Sequence, residues 1–324
     1  MKNILLSFFF LLIAASLSAR VIYYVRANAA GSGSSWDDAS PNLQNILAIA
    51  EPGDEVWVAT GTYTPTQTND RHASFVIRNG ISLYGGFQGW ETERTMRDWA
   101  KYPTVLSGEI GGPGIEDNSY NIICTRNVDP STTINGFIIH RGNADGQVSK
   151  GQRTRGGGGW FDEATNGGVS QPVIVNCTFL ENLAMEGGAF FGSGQNGSSR
   201  PTFSNCHFLK NKAKVDGGAI YSDGRDGSTN QFSFNNCRFE DNYSTYGAGI
   251  YLENGNDLTG LVVDRCVFIN NIAALWGGGI YYNFPPPGGY FEFQIEDCLF
   301  EKNYPTDVNK NRFLSNTDRD LAKR

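Results

Sequence analysis

Between Val173 and Asn303 the apolar and polar positions repeat five times, with a period near 30 residues. The first half of each unit reads Cys-x-Phe-x-x-Asn: Cys177/Phe179/Asn182, Cys206/Phe208/Asn211, Cys237/Phe239/Asn242, Cys266/Phe268/Asn271 and Cys298/Phe300/Asn303. The second half is a run of glycine or small residues followed by two large apolar ones. It is seen as Gly187-Gly188-Ala189-Phe190-Phe191, Gly217-Gly218-Ala219-Ile220-Tyr221, Gly247-Ala248-Gly249-Ile250-Tyr251 and Gly277-Gly278-Gly279-Ile280-Tyr281. Gly157-Gly158-Gly159-Trp160-Phe161 is an earlier copy. Phe161, Phe191, Tyr221, Tyr251 and Tyr281 stand 30 residues apart at every step, and the phenylalanines of the first half are spaced 29, 31, 29 and 32. A register held over so many units marks a repeat architecture.

Glycine doublets, Phe, Tyr, Ile and Val, and frequent Asn-Gly and Asp-Gly steps argue against helices. Each unit carries three short apolar runs separated by polar corners. The first is Val173-Ile174 and its equivalents, the second Cys-x-Phe, the third Gly-x-Ile. Three strands per coil, stacked, give an all-β chain folded as a right-handed parallel β-helix. Successive coils would lie about 4.8 Å apart, so that equivalent side chains meet. Cys and Phe, two apart, share the inward face. The asparagines would form a corner ladder, satisfying backbone groups, bonding to one another and tolerating left-handed geometry. All fifteen of these Cys, Phe and Asn residues are therefore read as structural.

The chain ahead of the repeats is organised differently. Lys2, the apolar run Ile4 to Ala15 and the small residues Ser16, Ser18 and Ala19 read as a signal peptide over residues 1–19. No cysteine follows that could carry a lipid. Residues 20–60 read as an N-terminal cap and first coil of a single domain over 20–303. In it, Ser40 and Pro41 look like the N-cap and first residue of a short helix lined by Leu43, Ile46, Leu47 and Ala50. Such a helix would cover the open end of the solenoid. Strands are expected at Glu55–Ala59, Phe75–Ile77, Ile81–Tyr84, Asn121–Cys124 and Ile134–Ile139, with a polar excursion through Glu91, Glu93, Arg94, Arg97, Asp98 and Trp99. A basic insertion with Lys150, Arg153 and Arg155 leaves the coil between Gly142 and Gly156. Loops that leave a solenoid on one face often form its binding face. Residues 304–324 read as a polar tail without the repeat.

The formal net charge of −7 and pI near 5.1 disfavour nucleic acid or an anionic membrane surface as partners. Contact with a membrane would need an anchor. Five of the six cysteines belong to the inward ladder and are expected to be buried free thiols; Cys124 has no evident partner. A monomer is expected.

Two stretches resemble known families. The Phe-x-x-Asn and Gly-Gly-Ala-Ile pair is similar to the repeat of polymorphic outer-membrane proteins. A longer string resembles secreted β-helix proteins of the "choice-of-anchor Q" type. It includes Tyr23-Tyr24-Val25, Gly33-Ser34-Ser35-Trp36, Leu43-Gln44, Gly53-Asp54-Glu55-Val56-Trp57-Val58-Ala59-Thr60-Gly61-Thr62-Tyr63-Thr64-Pro65, Tyr84-Gly85-Gly86-Phe87, Arg97-Asp98-Trp99, Leu106-Ser107-Gly108 and Gly136-Phe137 through Gly142-Asn143-Ala144. The resemblance implies a pectate-lyase-like solenoid, exported and held at a Gram-negative surface, with no established catalytic residues.

If Ile220, Ile250 and Ile280 point inward, the next residue points outward. Phe161, Phe191, Tyr221, Tyr251 and Tyr281 would then form an external aromatic stripe, with Glu163, Ser193, Asp223, Glu253 and Asn283 beside it. Rings next to hydrogen-bonding groups could stack sugars and bind their hydroxyls; equally, such a ladder could simply stabilise a sheet. Asp223 and Glu253, on adjacent coils about 5 Å apart, could serve a retaining glycosidase or hold Ca²⁺; otherwise they are a solvated acidic face. No other cofactor is expected. A lyase would need a cation for a uronate carboxylate and a base for its proton. Lys210, Lys212, Lys214, Arg225 and Arg238 are spread over different corners, and His72, His140 and His207 stand apart. Asn176, Asn196 and Asn242 lie in Asn-x-Ser/Thr sequons. The reading is an exported surface protein that binds polysaccharide, a cell-surface glycan or a surface protein without catalysis, with a polysaccharide lyase or glycoside hydrolase as the alternative.

Overall fold

The computed structural model describes residues 20–309, apart from 196, 226, 255–258 and 284–290. The expected signal peptide and residues 310–324 lie outside the described residues. The chain forms a parallel β-solenoid in which three long sheets run the length of the stack. The first holds nine strands, from Ile22–Val25 to Phe291–Glu296; the second holds eight, from Gly61–Tyr63 to Leu299–Glu301; the third holds eight, from Phe75–Ile77 to Val308–Asn309. Every paired strand is parallel and joins equivalent positions of neighbouring coils, for instance Phe179 with Phe208 and Phe208 with Phe239.

The stacking is direct. The rings of Phe179, Phe208, Phe239, Phe268 and Phe300 lie 4.5–5.0 Å apart and within 12° of coplanar. They meet edge-on a second column, Phe203 and Phe234, whose rings are 4.8 Å apart. Offset stacking within a column and edge-to-face contact between columns suit the ring quadrupoles. Cys177, Cys206, Cys237 and Cys266 line the same core as free thiols, and the free thiol of Cys298, at the last coil, packs against it half-buried. The Sγ of Cys177 contacts the carbonyl of Ile134 at 3.7 Å and that of Val175 at 3.3 Å, and the pattern recurs from coil to coil.

At the next corner each ladder asparagine does three things. Asn211 receives the Asn182 backbone N–H at 3.1 Å on its Oδ1, gives its Nδ2–H to the Phe179 carbonyl at 2.9 Å and gives another to Asn242 Oδ1 at 3.1 Å. Asn242, Asn271 and Asn303 continue the series. The left-handed conformation falls one residue earlier than expected, at Glu181, Lys210, Asp241, Asn270 and Lys302, with φ of 52–56°. That turn frees the asparagine that follows to point its own N–H along the stack. A second ladder, not anticipated, runs outside the coil: Asn176 Nδ2 donates to Asn135 Oδ1 at 3.0 Å, Asn205 donates to Asn176, and Asn236 donates to Asn205 at 3.3 Å.

Three further differences matter. A five-stranded sheet, from Asn143–Ala144 through Leu183–Glu186, Lys212–Asp216 and Tyr243–Tyr246 to Ile272–Trp276, occupies what the pattern read as a corner. Helix α1 spans Leu43–Ile49 with Asn42 as N-cap, not Ser40; Asn42 Oδ1 accepts the Asn45 N–H at 3.1 Å, while Ser40 Oγ accepts the Asn42 N–H. Its Leu43, Ile46 and Leu47 close the first coils as expected. The stack also continues past Asn303, since Val308–Asn309 pairs with Ile280 and Tyr281.

Candidate functional site

The third sheet alternates cleanly. Ile123, Trp160, Phe190, Ile220, Ile250 and Ile280 point into the coil and join the main core. Cys124, Phe161, Phe191, Tyr221, Tyr251 and Tyr281 point the other way and form a separate apolar cluster outside it. Cys124 thus has a place, as the first member of this column. The rings stack at 4.9–5.2 Å along the column.

The column is not an exposed stripe. Phe191 and Tyr221 are fully buried, and even Tyr281, near the C-terminal end, is only 9% exposed. From Phe191 to Tyr251 the cover is the basic insertion, which reaches along three later coils, and at Tyr281 it is the Tyr246 ring. A Cβ on Gly156 would come within 2.5 Å of the Phe191 ring, so only glycine lets the loop backbone lie flat against it. Lys150 Nζ sits 4.8 Å from the Tyr221 ring centre and 5.8 Å from that of Tyr251. The loop is pinned by charge. Arg155 meets Glu186 with two nitrogens, at 2.7 and 2.9 Å. Lys150 bridges Asp216 Oδ2 at 2.9 Å and Glu253 Oε2 at 3.0 Å. Arg153 donates to the His72 carbonyl.

These partners come from two walls. Glu186, Asp216, Tyr246 and Trp276 are in register at the end of the short fourth sheet. The chain then bends sharply at Gly187, Gly217, Gly247 and Gly277, all with φ near +60°, and enters the third sheet. A Cβ at any of these four would strike the main chain or the Cβ of the next strand at 2.3–2.7 Å. The bend makes a groove with the carboxylates on one side and the ring column on the other. At its far end the cover stops: Tyr246 lies 5.5 Å from Tyr281, and Trp276, next in register, is 52% exposed.

The carboxylates expected beside the stripe do face outward, but none is free. Asp223 is held by Arg225 through two bonds of 2.7 Å, and Glu163 by Arg126 at 2.7 Å. Glu253 accepts from Lys150, from Tyr221 Oη at 2.9 Å and Tyr251 Oη at 3.3 Å, and from Asn283 Nδ2 at 2.8 Å. Burial opposes charge on both partners of the central pair. Even so, Asp216 and Glu253 hold the Lys150 ammonium above its ordinary value, and Lys150 with Asn283 holds Glu253 below its own. For Asp216 burial outweighs the same lysine, and its pKa rises. Tyr221 is pushed well up, by burial first and then by Glu253.

Sequence reasoning missed two further groups. Asp162, on the inward face of the third sheet and completely buried, accepts from Thr125 Oγ1 at 2.7 Å and from Ser170 and Ser199 Oγ at 2.6 Å each. Burial pushes its carboxyl up to about 6 against those bonds. The other group is a surface depression of about 600 Å³, where Lys210 and Lys212 converge with Arg141 beside Glu116, Glu181 and Asp241. Two of the five cations read as scattered therefore do meet. His140 approaches Glu181 at 3.7 Å and His207 approaches Glu240 at 3.2 Å, while the His72 ring packs edge-on against Tyr120. Among the described residues no three His, Cys, Asp or Glu side chains group so as to hold a metal ion. Asn242 is buried in its ladder, so its sequon offers no free amide; Asn196 lies outside the described residues.

A family model described as a right handed beta helix region matches residues 164–305, in agreement with the expected hand of the solenoid. Among solved structures, a rhamnogalacturonan lyase is similar at 14% identity with a TM-score of 0.40, the likeness covering 86% of this chain and 62% of that chain. No match was found among curated proteins.

Proposed function

We propose that this chain is an exported β-helix, held at the surface of a Gram-negative cell in the manner of the choice-of-anchor Q proteins it resembles, and that it binds polysaccharide or a cell-surface glycan without transforming it. The observation that carries the reading is the open end of the outer groove. There Trp276 stands exposed and Tyr246 half-buried against the nearly covered ring of Tyr281, and the exposed Asn283 is bonded to Glu253. Ring faces stack on the C–H faces of sugars, and the adjoining amide and carboxylate suit their hydroxyls. The stripe contributes through this end, not along its whole length, because the 145–156 loop covers the remainder. The acidic composition favours neutral or cationic glycans over polyuronates.

A second reading, a lyase or glycoside hydrolase, has one observation in its favour. Arg141, Lys210 and Lys212 line a single depression that could neutralise a sugar carboxylate. Both readings are tested together by titrating the secreted protein with neutral, amino and uronate oligosaccharides while following new reducing ends and unsaturated products. Binding without turnover, weakened about 10-fold or more in Trp276→Ala, supports the first reading. Turnover abolished in Lys212→Ala but kept in Trp276→Ala supports the second.

A further inference from the structure

Lys150 shows what the groove is built to hold. Its ammonium lies between two carboxylate oxygens, Asp216 Oδ2 and Glu253 Oε2, and over the faces of Tyr221 and Tyr251. Two carboxylates and two π faces around one nitrogen make a site for a protonated amine. The Glu253 side of the site does not depend on its occupant, whereas the side-chain bond of Asp216 is to Lys150 itself. Glu253 is fixed on Oε1 by Asn283 Nδ2 and, on the same Oε2 that Lys150 reaches, by Tyr221 Oη and Tyr251 Oη, all on the rigid third sheet. Lys150, by contrast, arrives from a loop flanked by Gly146 and Gly151.

Charge points the same way. Along the groove four carboxylates, Glu186, Asp216, Asp223 and Glu253, face three cations, Arg155, Lys150 and Arg225. The surplus of one negative charge lies at the cage, where two carboxylates share one ammonium. A divalent metal is a poor fit. Calcium takes six to eight oxygens at about 2.3–2.6 Å, and the cage offers two carboxylates and two phenols turned towards one of them. A uronate would be repelled, and an N-acetylated sugar carries no charge to place there.

We infer that the cage of Asp216, Glu253, Tyr221 and Tyr251 is a binding site for the free amine of an amino sugar, occupied in cis by Lys150 until a ligand amine displaces the 145–156 loop. This rests on the glycan reading and narrows it to glycans bearing unacetylated amino groups. The loop then acts as a self-occupying gate. The open end at Trp276 takes the first sugar rings, and an amine on the same chain competes with Lys150 for the next position along the groove.

Two experiments test this separately from glycan binding in general. In the first, Lys150→Ala is melted with and without n-butylammonium. The small amine raises the melting temperature of the variant in a saturable way and leaves the wild type unchanged, while the double variant Lys150→Ala/Glu253→Gln gives no response. No saturable shift in Lys150→Ala, or an equal shift in all three proteins, overturns the cage. Should Lys150→Ala fail to fold, Lys150→Ala/Asp216→Asn removes one uncompensated carboxylate and takes its place. In the second, glucosamine oligomers, their N-acetylated counterparts and calcium are titrated into wild type and Lys150→Ala. The amine oligomer binds the variant at least about 10-fold tighter than wild type, and the gain disappears once the pH passes the amine's own pKa. Equal gains for the N-acetylated oligomer, or a gain for calcium alone, overturn the inference while leaving the glycan reading in place. Failure of every oligosaccharide, with the butylammonium rescue intact, removes the glycan reading and the amino-sugar assignment but keeps the amine cage.

Discussion

Truncating Asn242 to alanine tests the corner ladder where it is most deeply embedded. Its side chain takes part in four bonds. Nδ2 donates to the Phe208 carbonyl and to Asn271 Oδ1, both at 2.8 Å; Oδ1 accepts the Asn211 backbone N–H at 2.9 Å and Asn211 Nδ2 at 3.1 Å. After truncation the Asn211 amide still reaches the Phe179 carbonyl, and Asn271 Oδ1 still accepts the Asn242 N–H. The Asn211 N–H, however, loses its acceptor at a buried corner. An orphaned buried donor costs about 1–3 kcal/mol, and each of the other three bonds contributes about 0.5–1.5 kcal/mol net, which together give a loss of about 5 kcal/mol. Equilibrium urea denaturation measures the loss, and hydrogen exchange of the peptide containing Asn211 locates it. Asn242→Asp sharpens the test. The carboxylate keeps the acceptor but turns oxygen towards the Phe208 carbonyl and Asn271 Oδ1, so this variant is less stable at neutral pH than in mild acid. Asn176→Ala, in the outer ladder, is the control, with an expected loss of about 1–2 kcal/mol that comes chiefly from placing alanine at a left-handed φ of 54°. Equal losses for Asn242→Ala and Asn176→Ala would refute the reasoning, since the corner amides would then be solvated and the ladder merely decorative.

Asp162 sets a pH dependence of stability. Its carboxyl titrates near 6 in the folded chain and near 3.8 when unfolded, so the native state holds the proton more tightly. The contribution is fully present below the unfolded value and is lost as pH rises towards and through 6, by about 3 kcal/mol. Asp162→Asn flattens that part of the stability profile; an unchanged profile in thermal melts from pH 4 to 7 counts against it. Cys177, Cys237 and Cys266 have their thiols pushed up, Cys177 by burial to about 11 and Cys266 chiefly through its contact with Cys237 to about 12. They therefore resist a thiol reagent in the native protein and react on unfolding; rapid labelling of native Cys237 would contradict the buried column.

The solenoid was legible because its cause is periodic. A phenylalanine every 29–32 residues must stack if the coils stack, and Phe208 with Phe239 does so at 4.6 Å. The direction of side chains in the third sheet also followed from alternation, placing Ile220 inside and Tyr221 outside. What alternation could not tell is what lies over the outside. Lys150 meets Glu253 across 103 residues of sequence, and nothing in a 30-residue period records a contact between a non-repeating loop and three later coils. The basic character of that loop beside an acidic column was the one available sign. The outer asparagine ladder had a signal as well, in the recurring Asn-Cys pairs at 176, 205 and 236. The Asp162 network had none, because its partners Thr125, Ser170 and Ser199 share no pattern.

The corner amides all face one way. From Asn182 to Asn303 each Nδ2 gives one N–H to the next group towards the C-terminal end and the other to a carbonyl of the preceding coil, while each Oδ1 accepts from the preceding coil; the last forward N–H, on Asn303, ends on the carboxylate of Asp307 at 3.0 Å. Aligned amides polarise one another and add like the peptide dipoles of a helix. The column is thus a weak electrical rod with its positive pole at Asn303, and the chain sets an anion against that pole. A copy of the protein lengthened by further coils would carry the same polarity forward and would need an acid at each new terminus.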